Sequence, residues 1–189
     1  MNFLRKIVAF LAIFTILTIP RTLLADTSDQ QALDAIQNHY EKILTFEANF
    51  IQESYIRMMN QTQSVEGKVK IKKPGKMRWV YGAPEEQVLI SDENTLWLYI
   101  PEEEQATKVP VESIYSSNTP ALFLAGRGKL THAFDVESVS QEDKNILVSL
   151  VPKSAEQGLA RLVLQADKKN YQITGSTVYD KLGNKTEIR

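Results

Sequence analysis

The chain has 189 residues, with 22 Lys and Arg against 23 Asp and Glu, so its formal net charge is −1. It contains no Cys and only two His, which excludes disulfides, thiol catalysis and Cys-based metal sites. Nucleic-acid affinity rests on neutralising phosphates, so a chain without net positive charge predicts no nucleic-acid partner.

The first residues have the layout of a secretory signal peptide. Arg5 and Lys6 give a basic start, and Ile7 to Ile19 is an apolar run of 13 residues. This run is too short for a permanent membrane helix, which needs about 20 residues. We expect residues 1–25 to be a signal peptide cleaved after Ala25. Its loss removes three basic residues and no acidic one, so residues 26–189 carry a net charge of −4 and are expected to form a single domain.

A helix is predicted to begin near Ser28, because Ser28 and Gln31 have the spacing of a capping box. Apolar residues then recur at helical spacing: Leu33, Ile36, Tyr40, Ile43 and Leu44. Phe46 to Tyr55 changes to an extended pattern, and the polar segment Asn60 to Gln63 is typical of a turn.

The block from Val65 to Gln105 predicts four short strands joined by tight turns. Hydrophobic residues are expected on one face and Lys and Glu on the other, since side chains alternate along a strand. Both Trp residues of the chain lie in this block. Its apolar positions include Val65, Gly67, Val69, Ile71, Met77, Trp79 and Tyr81, and the turns are Pro74-Gly75, Gly82 to Pro84 and Asp92 to Asn94.

After a strand at Gln105 to Val109 the pattern breaks. Thr119-Pro120 predicts the start of a short apolar helix at Ala121 to Ala125. Further strands are predicted at Phe134 to Val139, Asn145 to Val151, Arg161 to Ala166, Tyr171 to Tyr179 and Lys185 to Arg189. The sequence therefore predicts an α+β protein, with an antiparallel sheet of many strands and two helical segments.

Candidate catalytic groups are few. His39 lies in the first predicted helix and His132 in a predicted loop, and neither has an acid or nucleophile at a familiar spacing. Ser64 and Ser91 lack the surroundings of a nucleophile elbow. The run Glu102 to Glu104 is typical of a solvated hairpin tip. We expect no catalytic site, metal site or cofactor, which disfavours an enzyme such as a lipid hydrolase.

Two surfaces of the strand block have open interpretations. The basic residues from Lys68 to Arg78 are either the solvent face of a sheet or a docking surface for an acidic partner or anionic headgroups. The apolar residues Met77, Trp79, Tyr81, Leu96 and Leu98 are either core or the lining of a cavity, since a strongly curved sheet with two helices does not easily fill its own concave side.

An ordered series of motifs resembles the periplasmic outer-membrane lipoprotein carrier family (LolA-like). The series begins with FEANFIQE and continues with EGKVKIKKPGKMRWVY and PEEQVLISDENTLWLYIPEEEQATK. NTPALFLAGRG, LVPK and DKLG follow in the same order. From Phe46 to Gly183, the segments are spread over most of the chain after the signal peptide.

The resemblance implies an incomplete, half-open antiparallel β-barrel, covered by the N-terminal helix and a short lid helix. Its hydrophobic concave cavity would take up the acyl chains of lipoproteins. Such carriers receive cargo from an inner-membrane ABC transporter and pass it to an outer-membrane receptor, and we expect a monomer in the periplasm. The expected cavity residues are Phe50, Val69, Ile71, Met77, Trp79, Tyr81, Leu96, Leu98, Leu122, Phe123, Ile146, Val148, Leu162 and Leu164.

The lid latch or partner contact is expected at Lys73, Pro74 and Met77, where many relatives have Arg before the proline and an aromatic residue after it. Lysine would hold a lid more loosely, because it lacks the planar fork of arginine. Relatives also continue past Arg189 with a further strand, whose loss would expose a sheet edge. The alternative function is a periplasmic lipid- or lipoprotein-sensing regulator of the same fold.

Overall fold

The computed structural model describes residues 27–111, 128–154 and 158–189. The predicted signal peptide and the predicted helix Ala121 to Ala125 lie outside these residues. The described helices are α1 (Thr27–Lys42) and α2 (Leu130–Ala133), with a 3₁₀ turn at Pro101–Glu103. The described strands are β1 (Thr45–Ile56), β2 (Gln61–Lys72), β3 (Lys76–Tyr81), β4 (Gln87–Ser91), β5 (Thr95–Ile100), β6 (Gln105–Pro110), β7 (Phe134–Glu142), β8 (Asn145–Pro152), β9 (Leu159–Asp167), β10 (Ile173–Asp180) and β11 (Lys185–Ile188).

Helix α1 is the amphipathic helix that the sequence predicts. Leu33 and Ile36 are fully buried and Tyr40 is nearly so, while Asp34 and Asn38 face solvent. His39 and Lys42 lie in its last turn, where a positive charge interacts favourably with the helix dipole. Among the described residues, no helix has the length and apolar character that crossing a bilayer requires.

All the described strands form one antiparallel sheet. Their order is β6-β5-β4-β3-β2-β1-β11-β10-β9-β8-β7. Strands β6 and β7 are the two edges, and no pairing joins them within the described part of the chain. The expectation of an open antiparallel sheet is therefore confirmed. The last strand of the chain, β11, lies inside the sheet between β1 and β10.

Three local predictions were wrong. The turn predicted at Asn60 to Gln63 ends at Asn60, because the β1–β2 ladder extends as far as the pair Ile56 and Gln61. Strand β10 starts later than predicted, since Tyr171 has a positive φ of 60° in the preceding turn. His132 lies in the short helix α2 and not in a loop.

Cross-strand pairing defines two faces of the sheet, because residues directly opposite each other point to the same side. We call the face on which α1 packs the inner face, and the other the outer face. Leu150 and Leu162 are paired on the inner face beneath α1. Following the register across β10, β11 and β1 places Phe50 on this same face.

The core consists of two clusters on the inner face. The first joins Leu33 and Ile36 of α1 to strands β7–β9 and to Leu130 of α2. The second contains Phe50, Val69 and Ile71 and lies on β1–β3. Phe46 packs against both clusters and connects them.

Gly67 is the position that lets the second cluster form. It is opposite Phe50 on one side and opposite Tyr81 on the other. A Cβ atom at Gly67 would lie 2.4 Å from the Phe50 ring and 2.4 Å from the carbonyl oxygen of Val80. The ring of Phe50 therefore occupies the space that a side chain at position 67 would fill.

We predict that Gly67→Ala destabilises the protein by about 1–3 kcal/mol, because the added methyl group overlaps both a ring and a backbone oxygen. Urea denaturation would measure the free energy of unfolding. The matched control is Gly82→Ala, whose Cβ would meet only the carbonyl oxygen of Glu66, at 3.3 Å. Equal stabilities of the two variants would contradict the role given to Gly67.

Candidate functional site

Three aromatic rings form a cluster on the inner face, which we call the aromatic cluster: Phe50, Trp79 and Tyr81. The Phe50 ring meets Trp79 edge to face at a centroid distance of 5.0 Å and Tyr81 at 5.2 Å. Trp79 and Tyr81 are nearly parallel at 6.4 Å. Burial raises the pKa of the Tyr81 hydroxyl, which donates a hydrogen bond to Gln52 Oε1 at 3.4 Å.

The apolar surface continues from the aromatic cluster towards the β6 edge. Trp79 pairs with Leu89 of β4, and Leu89 pairs with Leu98 of β5, so the three side chains form a row on the inner face. Leu96 lies one pair further along β5. These residues are half-buried, in contrast to the fully buried residues beneath α1. This half of the inner face therefore retains apolar surface that solvent can reach.

The register places the described members of the predicted cavity set on the inner face. They divide into two groups. Ile146, Val148, Leu162 and Leu164 belong to the core cluster beneath α1. The second group lies in or beside the aromatic cluster: Phe50, Val69, Ile71, Met77, Trp79, Tyr81, Leu96 and Leu98. Leu122 and Phe123 lie outside the described residues.

Lys73 connects the β2–β3 turn to the end of α1. Its Nζ donates a hydrogen bond to the carbonyl oxygen of Tyr40 and lies 3.4 Å from the centre of the Tyr40 ring. Its backbone N–H donates to Leu44 O at 2.8 Å. The Tyr40 carbonyl is among the last of α1, where the helix dipole favours a cation. Pro74 is exposed, and Met77 packs against the second core cluster.

The turn that carries Lys73 is itself held in place. Ser91 is buried, and its hydroxyl donates a hydrogen bond to Gly75 O at 3.0 Å. Gly75 has a φ of +71°, a conformation that favours glycine. The amine of Lys73 is thus positioned by β4 as well as by its own hairpin.

Burial lowers the pKa of Lys73 to about 8, against an ordinary value of 10.5, and the nearby carboxylate of Glu41 opposes this shift. Burial also raises the pKa of the Tyr40 hydroxyl above its usual value. The helix terminus and the aromatic ring favour the charged amine, but its burial opposes them and lowers the pKa on balance.

A pocket of about 450 Å³ lies beside Lys73. Gln37 is buried at its wall, where its Oε1 accepts a hydrogen bond from the backbone N–H of Leu130 and its Nε2 donates to Glu41 Oε1, both at 2.8 Å. Lys129 lies 3.8 Å from the same Glu41 oxygen. The described residues contain no group of three or more His, Asp and Glu arranged to hold a metal ion.

Two parts of this arrangement were not predicted from the sequence. Leu89 joins the apolar row, but three consecutive apolar residues, Val88 to Ile90, give no alternation that would have indicated which of them faces inward. Tyr40 was placed only on the apolar face of α1, and nothing in its spacing indicated a contact with Lys73, which is 33 residues away in the chain.

We predict that the contribution of Lys73 to stability increases with pH. The folded state holds this proton less tightly than the unfolded chain, so the unfolded chain binds more protons between about pH 8 and the unfolded pKa. Over this pH range, the free energy of unfolding of wild type should therefore rise relative to that of Lys73→Met. The expected rise is a few tenths to about 1 kcal/mol, because the group is partly exposed. Urea denaturation at several pH values measures it. Lys72→Met, at an exposed neighbouring position, is the control; the same pH trend in both variants would contradict the assignment.

Comparisons with known proteins agree with this fold. Residues 41–189 match the family model of the outer membrane lipoprotein carrier protein LolA. The chain is 32% identical to an outer-membrane lipoprotein carrier protein of Chromohalobacter salexigens, covering 94% of this chain and 82% of that one. It is also 32% identical to the Legionella pneumophila strain Corby protein of the same name, covering 85% and 77%.

Among solved structures, the fold is similar to that of the lipoprotein LppX of Mycobacterium tuberculosis, with a TM-score of 0.51 and 5% identity. The match covers 87% of this chain and 93% of that one, and it concerns the fold alone. The family match extends over most of the sheet, from the end of α1 through β11. The chain therefore belongs to the LolA family of outer membrane lipoprotein carrier proteins.

Proposed function

We propose that this protein carries lipoproteins between membranes by holding their acyl chains against the aromatic half of the inner face. The observation that carries the proposal is the half-buried apolar row formed by Trp79, Leu89 and Leu98, which α1 does not seal. Membership of a family of lipoprotein carriers supports it. A carrier of this family belongs to no class of enzyme.

The aromatic half is the better site for acyl chains than the half beneath α1. Val148 and Leu162 are fully buried, so a chain could contact them only after α1 moved away. No such displacement is required at Leu96 or Leu98, which are half-buried. The helix predicted at Ala121 to Ala125 would act as the lid over this half.

The free energy of transfer suits a carrier. Burying acyl methylenes from water is worth about 0.8 kcal/mol each, so roughly 40 of them would give over about 30 kcal/mol. Real complexes do not exceed about 20 kcal/mol, and a holder of that strength could not deliver its cargo. The relevant transfer is from a bilayer to the inner face, which exchanges one apolar environment for another at small net cost.

The direction of lipoprotein transfer must then be set by the proteins that load and unload the carrier. We infer loading by an inner-membrane ABC transporter that uses ATP, and unloading to an outer-membrane receptor. The signal peptide predicted at residues 1–25 would export the protein to the periplasm, where it would act as a monomer. Lys73 would stabilise the closed arrangement by keeping the end of α1 against the β2–β3 turn, and cargo would shift the population towards an open one.

The test is release of lipoprotein from energised spheroplasts. Wild-type protein purified from periplasmic extracts should release a triacylated lipoprotein into the soluble fraction as a stoichiometric complex. Leu98→Glu should lower release by at least about tenfold, because a buried charge in an apolar site is costly. Met58→Glu is the control, since Met58 is 98% exposed in the β1–β2 turn.

Folding of Leu98→Glu is checked by urea denaturation, and Leu98→Ala provides a milder variant that should lose part of the activity. No release by folded wild type would overturn the carrier function and favour a sensor of lipid or lipoprotein. Normal release by Leu98→Glu would place the acyl site elsewhere.

A further inference from the structure

The outer face of β3–β5 carries apolar side chains where the sequence predicts polar ones. Strand pairing places Val80, Val88 and Tyr99 in one row and Ile90 and Trp97 in the next. Ile90 is 42% exposed and Tyr99 is 41% exposed. We call these five residues the outer patch. Because they point away from α1, they contribute neither to the core clusters nor to the proposed acyl site.

Cations border the outer patch on both sides. The register forms one row across five strands, in the order Lys70, Arg78, Ile90, Trp97 and Lys108. Ile90 and Trp97 therefore lie between the exposed side chains of Arg78 and Lys108. The pair Lys72 and Lys76 adds two more exposed amines at the end of the adjacent strands.

These cations differ in how they are neutralised. Lys68 and Lys70 form ion pairs with Glu47 at 2.9 and 3.1 Å. Within the described part of the chain no ion pair involves Arg78 or Lys108, although Lys108 and Lys76 interact at longer range with the carboxylate of Asp92. The positive charge of Arg78 is therefore available to an external anion, as is that of Lys108, which Asp92 offsets only from beyond ion-pair distance.

The opposite end of the same strands is acidic. Glu85, Glu86 and Glu102 line a surface pocket of about 660 Å³ between the β3–β4 and β5–β6 connections. The end at the β2–β3 turn carries three lysines, with Asp92 and Glu93 of the β4–β5 turn beside them, and is basic on balance, whereas the opposite end is acidic. An anionic surface would attract the first and repel the second, which gives the bound protein a defined orientation.

We propose that the outer patch is a contact surface for an anionic phospholipid bilayer. Trp and Tyr prefer the membrane–water interface, where their rings meet the acyl boundary and their polar atoms remain hydrated. Lys and Arg beside them bind anionic headgroups. The contact is separate from the acyl site on the inner face. It would bring the Lys73 end of the molecule towards the membrane, and it does not depend on the proposed carrier function.

The first experiment is flotation of the protein, purified from periplasmic extracts, with vesicles of phosphatidylethanolamine and phosphatidylglycerol. Wild type should bind these vesicles, lose binding at high salt, and bind phosphatidylcholine vesicles weakly. Arg78→Glu/Lys108→Glu should lower the affinity by at least about tenfold. The control Lys144→Glu/Lys169→Glu makes the same change in net charge at exposed positions in other turns and should bind as wild type does.

The second experiment locates the contact. Trp79→Phe leaves Trp97 as the reporter, and Trp97→Phe leaves Trp79. Brominated phosphatidylglycerol vesicles should quench Trp97 and leave Trp79 unquenched. Quenching of Trp79 instead would overturn the proposal, because the lipid would then be entering the inner face. Equal losses of vesicle binding in the two double variants would also overturn the proposal. So would a wild type that does not bind the vesicles, whether or not the protein self-associates through this face.

Discussion

One helix of 16 residues cannot cover a sheet of this width. At 1.5 Å per residue α1 is about 24 Å long, whereas eleven strands about 4.8 Å apart span about 48 Å. The helix packs on β7 and β8, where Val148 and Leu150 are fully buried. The apolar side chains of β3–β5 remain half-buried beyond its reach. The half-buried apolar surface follows from this mismatch between the area of the sheet and the length of α1.

The aromatic cluster makes such an uncovered surface compatible with a stable fold. Phe50 fills the space left by Gly67 and contacts both Trp79 and Tyr81, so these rings stabilise one another across three strands. In the proposed carrier, the side chains beside them would contact solvent or an acyl chain in turn, while the rings keep the sheet intact. Lys73 links this half of the molecule to α1 through the Tyr40 carbonyl.

Sequence patterns predicted local structure well where they were regular. The alternation from Val65 to Ile71 and the turn residues Asp92 to Asn94 predicted strands and hairpins correctly, because each depends on neighbours in the chain. Asp92, for example, accepts the backbone N–H groups of Asn94 and Thr95, both at 2.7 Å. The order of the strands could not be predicted this way. Nor could the Lys73–Tyr40 contact, since both depend on residues far apart in the chain. The outer patch was missed because β4 and β5 are apolar on both faces and give no alternation.

Strand β11 pairs with β1, although the two strands are far apart in the chain. Every other pairing in the sheet joins strands that follow one another in the chain, whereas β1 and β11 are brought together from its two ends. Each set of consecutive hairpins closes only short loops and can form early. The two sets of hairpins can join only after β11 has been synthesised and paired with β1. Next to this pairing, Ile51 and Arg189 exchange two backbone hydrogen bonds of 2.9 Å. The topology therefore divides the sheet into two sets of consecutive hairpins. The pairing of β1 with β11, which are far apart in the chain, joins the two sets late in folding.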